Sequence, residues 1–334
     1  MLILGIESSC DETGLALYSE DHGLIAHLVN SQIDLFTEYG GVIPEIAARD
    51  HSAKIIGILK QLLKQTDHNL EDINLIAYTA GPGLIGSLMI GETVAKTIAN
   101  VLNIELLPIN HLEGHILAPG LEEGGLEPPY LCLLVSGGHT QIIRCDGYGD
   151  YKIIGETIDD ACGEAFDKVG KLLNLEYPGG PKVSKLAENG DSKRFKFPRA
   201  MMKDKNLNFS FSGLKTSVLY ALEDLNEEDH ADVAASFQEA VIDALTTKLM
   251  WAVQDTKIHK LVCSGGVASN KLLRDRLKQM AANNNLEVSY PRMEFCTDNA
   301  AMIAYAGFIR KKFKLPTYPT NFARPRWPLG ELYD

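Results

Sequence analysis

Two stretches of this chain follow one plan: an apolar strand, a glycine turn and then a helix. YTAGPGLIGSLMIGETVAK runs from Tyr78 to Lys96, and VCSGGVASNKLLRDRLK from Val262 to Lys278. Each comes late in its half of the chain, behind three short apolar segments bounded by Gly, Asp or Ser. In the first half these are Leu2–Glu7, Thr13–Ser19 and Leu24–Asn30; in the second, Tyr130–Ser136, Thr140–Cys145 and Tyr151–Glu156. Short apolar runs with such boundaries read as strands. The first half adds a helix from Pro44 to about Lys64, with Ile55, Ile56, Leu59, Leu62 and Leu63 on one stripe, and a strand at Ile73–Thr79. The second adds helices at Asp159–Leu173 and from about Ala231 to Val253, and a strand at Lys260–Cys263. A duplicated βββαβα unit predicts two related α/β lobes rather than one doubly wound sheet.

The length of 334 residues suits two lobes and is short for three. We place the first lobe at 1–128, completed by a C-terminal segment at about 300–334. The second lobe is 129–299, with an insertion at about 176–229. The last helix is predicted over Thr297–Lys312. With 45% hydrophobic and 23% charged residues, the chain reads as an ordinary globular protein. Its apolar runs fall short of a membrane span, and MLILGIESSC lacks the basic start of a signal peptide. Six scattered cysteines without a CxxC fit reduced thiols, so a cytoplasmic location without a membrane is expected. Cys10 and Cys296 read as small buried residues rather than nucleophiles. A net charge of -12 disfavours nucleic-acid binding through the overall field. Any RNA contact then needs a local basic patch or a partner.

His111 and His115 in NHLEGHILA share one helix face, close enough to chelate one ion. The same spacing also suits histidines that only cap or pack. A zinc peptidase would read HExxH, but here Leu112 follows the first histidine and Glu113 is displaced. Asp298, in FCTDNAAMIAYAG, could close a two-His, one-carboxylate site suited to iron or zinc. Equally, Thr297 or Asp298 could cap the last helix. Three glycine turns follow strands: LVSGGHTQ, AGPGLIGS and CSGGVASN. Small residues let backbone amides approach phosphate oxygens, and the three together favour a nucleotide cleft. None matches a P-loop or a dinucleotide fingerprint. In IDDACGEAFDK, Asp160, Glu164 and Asp167 fall along one helical face, either as a solvated acidic turn or as a ribose-holding site. Lys193, Arg194, Lys196 and Arg199, interleaved with Phe195 and Phe197, suit RNA phosphate contact or a solvated face.

Taken together, GIESSCDET, GGVIPEIAARDH, AGPGLIGSL, NHLEGH, LVSGGHTQ, ACGEAFDK, YPGGP, FSFSGLKT, SGGVASN, FCTDNAAMIAYAG and RPRWPL resemble the bacterial TsaD family. They occur in order from residue 5 to 329. The resemblance implies an actin/hexokinase-like two-lobed fold. It also implies transfer of threonylcarbamoyl from threonylcarbamoyl-AMP to N6 of the adenosine 3′ of the tRNA anticodon. By motif match, His111, His115 and Asp298 would hold one divalent metal, iron or zinc. Leu134, Val135, Ser136, Gly137 and Gly138 would cradle the adenylate, with Asp167, Gly180 and Asn270 on the nucleoside. Archaeal relatives carry a tyrosine metal ligand that this chain lacks, which leaves His139 or water for that position. Ala200 stands where the family pattern has proline. Asp11 and Glu12 are candidates for proton removal or tRNA positioning, or they merely cap the first hairpin. The resemblance further implies a TsaB-like paralogue, a TsaE-like ATPase and tRNA as partners. A metallopeptidase and a non-catalytic scaffold are the competing readings. The first lacks a placed general base; the second would be expected to lack the metal residues.

Overall fold

The computed structural model describes residues 1–203, 205–318 and 322–333. It divides into two compact units. One comprises Met1–Pro128, Asp146–Tyr151 and Pro291–Asp334; the other comprises Pro129–Cys145 and Lys152–Tyr290.

The first unit opens with β1 (Leu2–Glu7), β2 (Glu12–Ser19) and β3 (Gly23–Ser31), joined by tight turns. Next come α1 (Ile33–Thr37), α2 (Pro44–Thr66), β4 (Leu75–Gly81), α3 (Ile85–Leu102), β5 (Glu105–Asn110) and α4 (His111–Leu117). The sheet order is β3-β2-β1-β4-β5. The first three strands pair antiparallel, as short connections allow, while β4 and β5 join in parallel after helical crossovers. The second half follows with β6 (Tyr130–Val135), β7 (Thr140–Gly147), β8 (Asp150–Glu156), α5 (Cys162–Leu172), α6 (Gly179–Ala187), α7 (Ser212–Leu222), α8 (His230–Thr256), β9 (Lys260–Ser264), α9 (Lys271–Asn284) and β10 (Glu287–Ser289). Its sheet order, β8-β7-β6-β9-β10, repeats the first, with β6 antiparallel to β7 and parallel to β9. The predicted duplication is therefore real at the level of topology.

The chain then enters α10 (Ala300–Lys312), the centre of the first unit's core. Side chains alternate between the faces of a strand. Ile3, Ala16, Tyr18, Ala77 and Ile109 accordingly meet Met302, Ile303, Phe308 and other α10 residues on one face. Each buried Ile, Met or Phe side chain among them contributes about 1.5–3 kcal/mol. The helix lies so close to β1 that a Cβ on Gly5 would come 2.4 Å from the carbonyl oxygen of Ala300. Only glycine fits there.

Several expectations need correction. The last helix begins at Ala300, because Asn299 is its cap and accepts from the Met302 amide. Thr297 and Asp298 precede it, so neither is the cap. Likewise α5 begins at Cys162, which leaves Asp160 ahead of the helix rather than on a face with Glu164 and Asp167. Asp159 instead accepts from the amides of Phe211 and Ser212 and from two serine hydroxyls, which anchors the start of α7. The strands β5 and β10 escape the sequence reading. The insertion contains two helices, α6 and α7. On α2, Ile55, Leu59 and Leu62 are buried but Ile56 faces solvent.

Candidate functional site

In the first unit, α4 starts where β5 ends. Asn110 caps it, its side chain accepting from the amides of Leu112 and Glu113 while donating to the carbonyl of Trp327. This sets the first helical residue, His111, one turn before His115, and both are buried. Their rings meet edge to face at 4.7 Å. Asp298, just ahead of α10, brings Oδ1 to 3.1 Å from His115 Nε2 and 3.4 Å from His111 Nε2. The three donor atoms lie within 4.8 Å of one another.

Behind His111 stands a residue the sequence reading did not select. Glu7, the last residue of β1, is fully buried, and its Oε2 lies 3.1 Å from His111 Nδ1. Glu7 also accepts from the Ser9 amide at 2.6 Å and the Thr79 hydroxyl at 2.5 Å. Ser9 Oγ lies 3.2 Å from the same Nδ1. Burial opposes charge on His111, but Asp298 and Glu7 hold its imidazole well above the ordinary histidine range. Burial likewise opposes the charge of Asp298 and Glu7, yet His111 keeps both carboxyls below their usual range. His111 thus lies between two carboxylates, Glu7 and Asp298. With Nδ1–H committed to Glu7, His111 presents Nε2 beside that of His115 and a carboxylate oxygen. Histidine ligands are normally oriented by such a carboxylate, and two imidazoles with one carboxylate suit iron(II) or zinc. The residues fit a metal.

The other first-unit candidates surround this group. Asp11 is buried, and its carbonyl accepts from the Gln32 amide. Glu12 starts β2; burial, together with the charges of Asp298 and Asp11, pushes its carboxyl well above the usual range. Burial also pushes the Cys10 thiol up, consistent with a packing residue. Cys296 is fully buried. Glu113, on the far side of α4, accepts from Arg310 and Tyr151 and is no base for a peptidase.

The second unit holds the glycine-turn candidates. Leu134 and Val135 are core residues of β6. Ser136 closes a turn with His139, its amide donating to the His139 carbonyl while its hydroxyl accepts from the His139 amide. Gly137 and Gly138 are exposed, with open space where a Cβ would stand. Asp167 on α5 accepts from the amides of Gly179 at 2.8 Å and Gly180 at 3.2 Å, at the start of α6. Asn270 caps α9 and donates to Ser184 of α6 and Gln238 of α8. Asp167, Gly180 and Asn270 therefore gather around α6. In the insertion, Lys193 and Lys196 are exposed. Arg194 instead pairs with Asp229 and Asp232, and Arg199 with Asp243. Both arginines are staples to the start and middle of α8.

A family profile described as tRNA N6-adenosine threonylcarbamoyltransferase matches residues 23–305. A protein of that name from Methylobacillus flagellatus is 50% identical over 336 residues, covering 99% of each chain. The chain belongs to the TsaD family. Like that family's members it is a transferase acting in tRNA modification, which sets aside the peptidase and scaffold readings. Among solved structures, a full-length HypF in phosphate- and nucleotide-bound form aligns with a TM-score of 0.64 at 13% identity. That alignment covers 95% of this chain and 47% of HypF, so the chain spans about half of that protein. The activator of the 2-hydroxyisocaproyl-CoA dehydratase from Clostridium difficile, with bound ADPNP, aligns at 0.52 and 15% identity, over 94% of this chain and 97% of the activator. At such identities the likeness concerns the fold: the TsaD-family chain has the duplicated actin/hexokinase-like α/β architecture. Among the described residues, no helix is long and apolar enough to cross a membrane.

Proposed function

We propose that the chain transfers threonylcarbamoyl from threonylcarbamoyl-AMP to N6 of the adenosine 3′ of the anticodon, in tRNAs reading codons that begin with A. In this reading one divalent metal, iron or zinc, sits on His111, His115 and Asp298. The observation that carries it is the meeting of two buried histidines and a half-buried aspartate, backed by Glu7, in a chain whose family performs this class of transfer. The metal supplies Lewis-acid polarisation of a carbonyl or phosphate oxygen. Glu7 keeps the His111 ring turned for that role. The backbone amides of exposed Gly137 and Gly138 donate to a phosphate or carbonyl oxygen, while Asp167, Gly180 and Asn270 take the nucleoside. A bond forms from N6 to the carbamoyl carbon, the bond from that carbon to phosphate oxygen breaks, and AMP leaves with the electron pair. The N6 proton goes to a base, for which Glu12 and Asp11 are the candidates.

Lys193 and Lys196, which form no ion pair among the described residues, are the ones we assign to tRNA phosphates. A TsaB-like paralogue and a TsaE-like ATPase complete the working assembly. The test is transfer of labelled threonylcarbamoyl to tRNA by the chain with those partners, before and after chelation. Transfer should stop on chelation and return with iron(II) or zinc. Full transfer by the stripped protein would reject the metal-assisted reading.

A further inference from the structure

The acid inside the HLEGH helix has no place in the transfer chemistry above, yet it is as deeply buried as Glu7. Counting about 100° per residue, Glu113 lies roughly 160° around α4 from both His111 and His115. It is fully buried. Arg310, itself 3% exposed, places Nη1 at 3.0 Å from Oε1 and 3.2 Å from Oε2 of Glu113. The Tyr151 hydroxyl donates to Oε1 at 3.1 Å, and the Tyr318 hydroxyl donates to Oε2. Arg310 also donates to the Tyr318 oxygen at 2.8 Å and to the carbonyl of Pro316, with its guanidinium 3.8 Å above the Tyr318 ring. Both carboxylate oxygens of Glu113 and both terminal nitrogens of Arg310 are thereby engaged. Such enclosure is costly in desolvation and weak evidence of added stability, since apolar replacements often do as well.

What the pair does have is direction. Arg310 belongs to the last turn of α10, and Asp298 stands just before its first turn, about 18 Å away along the helix. The same helix thus reaches α4 on both sides: Asp298 meets the histidine face and Arg310 the opposite one. Between them the helices touch closely, since a Cβ on Gly114 would come 2.9 Å from Ile303 Cδ1 and 3.1 Å from Met302 Cγ. Gly114 brings α4 close to α10 but contributes no side chain that would set the rotation of α4. A turn of about 20° would move a donor atom at roughly 6 Å from that axis by about 2 Å. Metal sites tolerate about 0.2 Å.

We infer that Glu113 and Arg310 are positioning residues: their buried pair fixes the rotation of α4, and through it the aim of His111 and His115 at the ion they share with Asp298. The inference rests on the metal reading above, and its test separates the two. Zinc affinity is measured by chelator competition on the full chain, beside the visible spectrum of the cobalt(II) form and the melting temperature of the metal-free protein. His115→Ala serves as the check on the metal reading, which fails if this variant binds zinc as the wild type does. Glu113→Gln should weaken zinc by about 10–100-fold, the range for outer-shell partners, and alter the cobalt spectrum. The double variant Glu113→Leu with Arg310→Met removes both charges, so its metal-free melting temperature should return toward wild type. Its zinc affinity should nonetheless stay about 10-fold or more below wild type. Recovery of affinity together with melting temperature, with a wild-type cobalt spectrum, would overturn the inference and leave the pair a structural contact.

Discussion

In the first unit the leading strand, β1, ends on a buried acid, Glu7, held by Ser9 and Thr79 and turned toward His111. Its counterpart in the second unit, β6, ends on Val135, followed by Ser136 and two exposed glycines. The strand orders around them are the same. The loops differ in charge: one set gathers carboxylates and imidazoles, the other backbone amides. On one scaffold, one copy gathers side chains that suit a cation and the other backbone amides that suit an anion. Glycines at the end of β1 would leave His111 without its orienting acceptor.

The largest expected effect comes from removing a donor. His115→Ala should lower zinc affinity by more than about 100-fold and abolish transfer, while AMP binding by the second-unit turns stays at the wild-type level. Loss of AMP binding as well would break the comparison. Glu7→Gln comes next. The amide fits the space but is a weaker acceptor for His111 Nδ1–H, and zinc affinity should fall about 10–100-fold. Unchanged affinity would make Glu7 a packing residue.

A smaller effect divides the basic run. Replacing Lys193 and Lys196 by alanine should reduce the salt slope of tRNA binding by about 2 without moving the melting temperature. Replacing Arg194 and Arg199 should lower the melting temperature, since Arg199 pairs with Asp243 and Arg194 with two acids at the start of α8. An unchanged slope for the lysine pair would place the RNA elsewhere.

The smallest effect concerns acid. The β1–β2 loop is pinned by His51, which is buried, accepts from the Thr13 hydroxyl at 2.7 Å and donates to the Cys10 carbonyl at 2.9 Å. Burial holds this imidazole below the usual histidine range. A depressed folded value means stability present above the unfolded value of about 6.5 and lost as pH falls through the folded one. The β6–β7 turn is closed by Ser136 and His139 backbone groups and a serine hydroxyl. Below pH of about 6.5, amide exchange should therefore quicken in residues 8–13, and His51→Gln should remove that pH dependence. Exchange in residues 8–13 that does not change with pH would contradict it.

The sequence made the topology legible because strands buried on both faces read as apolar runs, and β1, LILGIE, is buried throughout. It hid β5 because that strand begins on an exposed glutamate and carries Pro108, and β10 because it has three residues. Two of the presumed RNA cations, Arg194 and Arg199, prove to be paired within the fold. Arg199 and Asp243 lie 44 residues apart, and no local pattern announces a pair at that range. The donors His111, His115 and Asp298 come from motifs, but their convergence depends on α10 returning to the first unit. Glu7 was the subtlest. At a strand end an acid is ordinary, and only its burial against His111 marks it as part of the site.

The central claim is that the first copy of the scaffold holds a metal ion on His111, His115 and Asp298. Crystals of the zinc-loaded chain with AMP, measured on both sides of the zinc absorption edge, test it most directly. The account predicts one anomalous peak at about 2.0–2.2 Å from two imidazole nitrogens and one carboxylate oxygen of those residues, with His111 Nδ1 still bonded to Glu7. Zinc seated elsewhere, or a crystal that binds AMP while this triad stays hydrogen-bonded to itself in excess zinc, would contradict it.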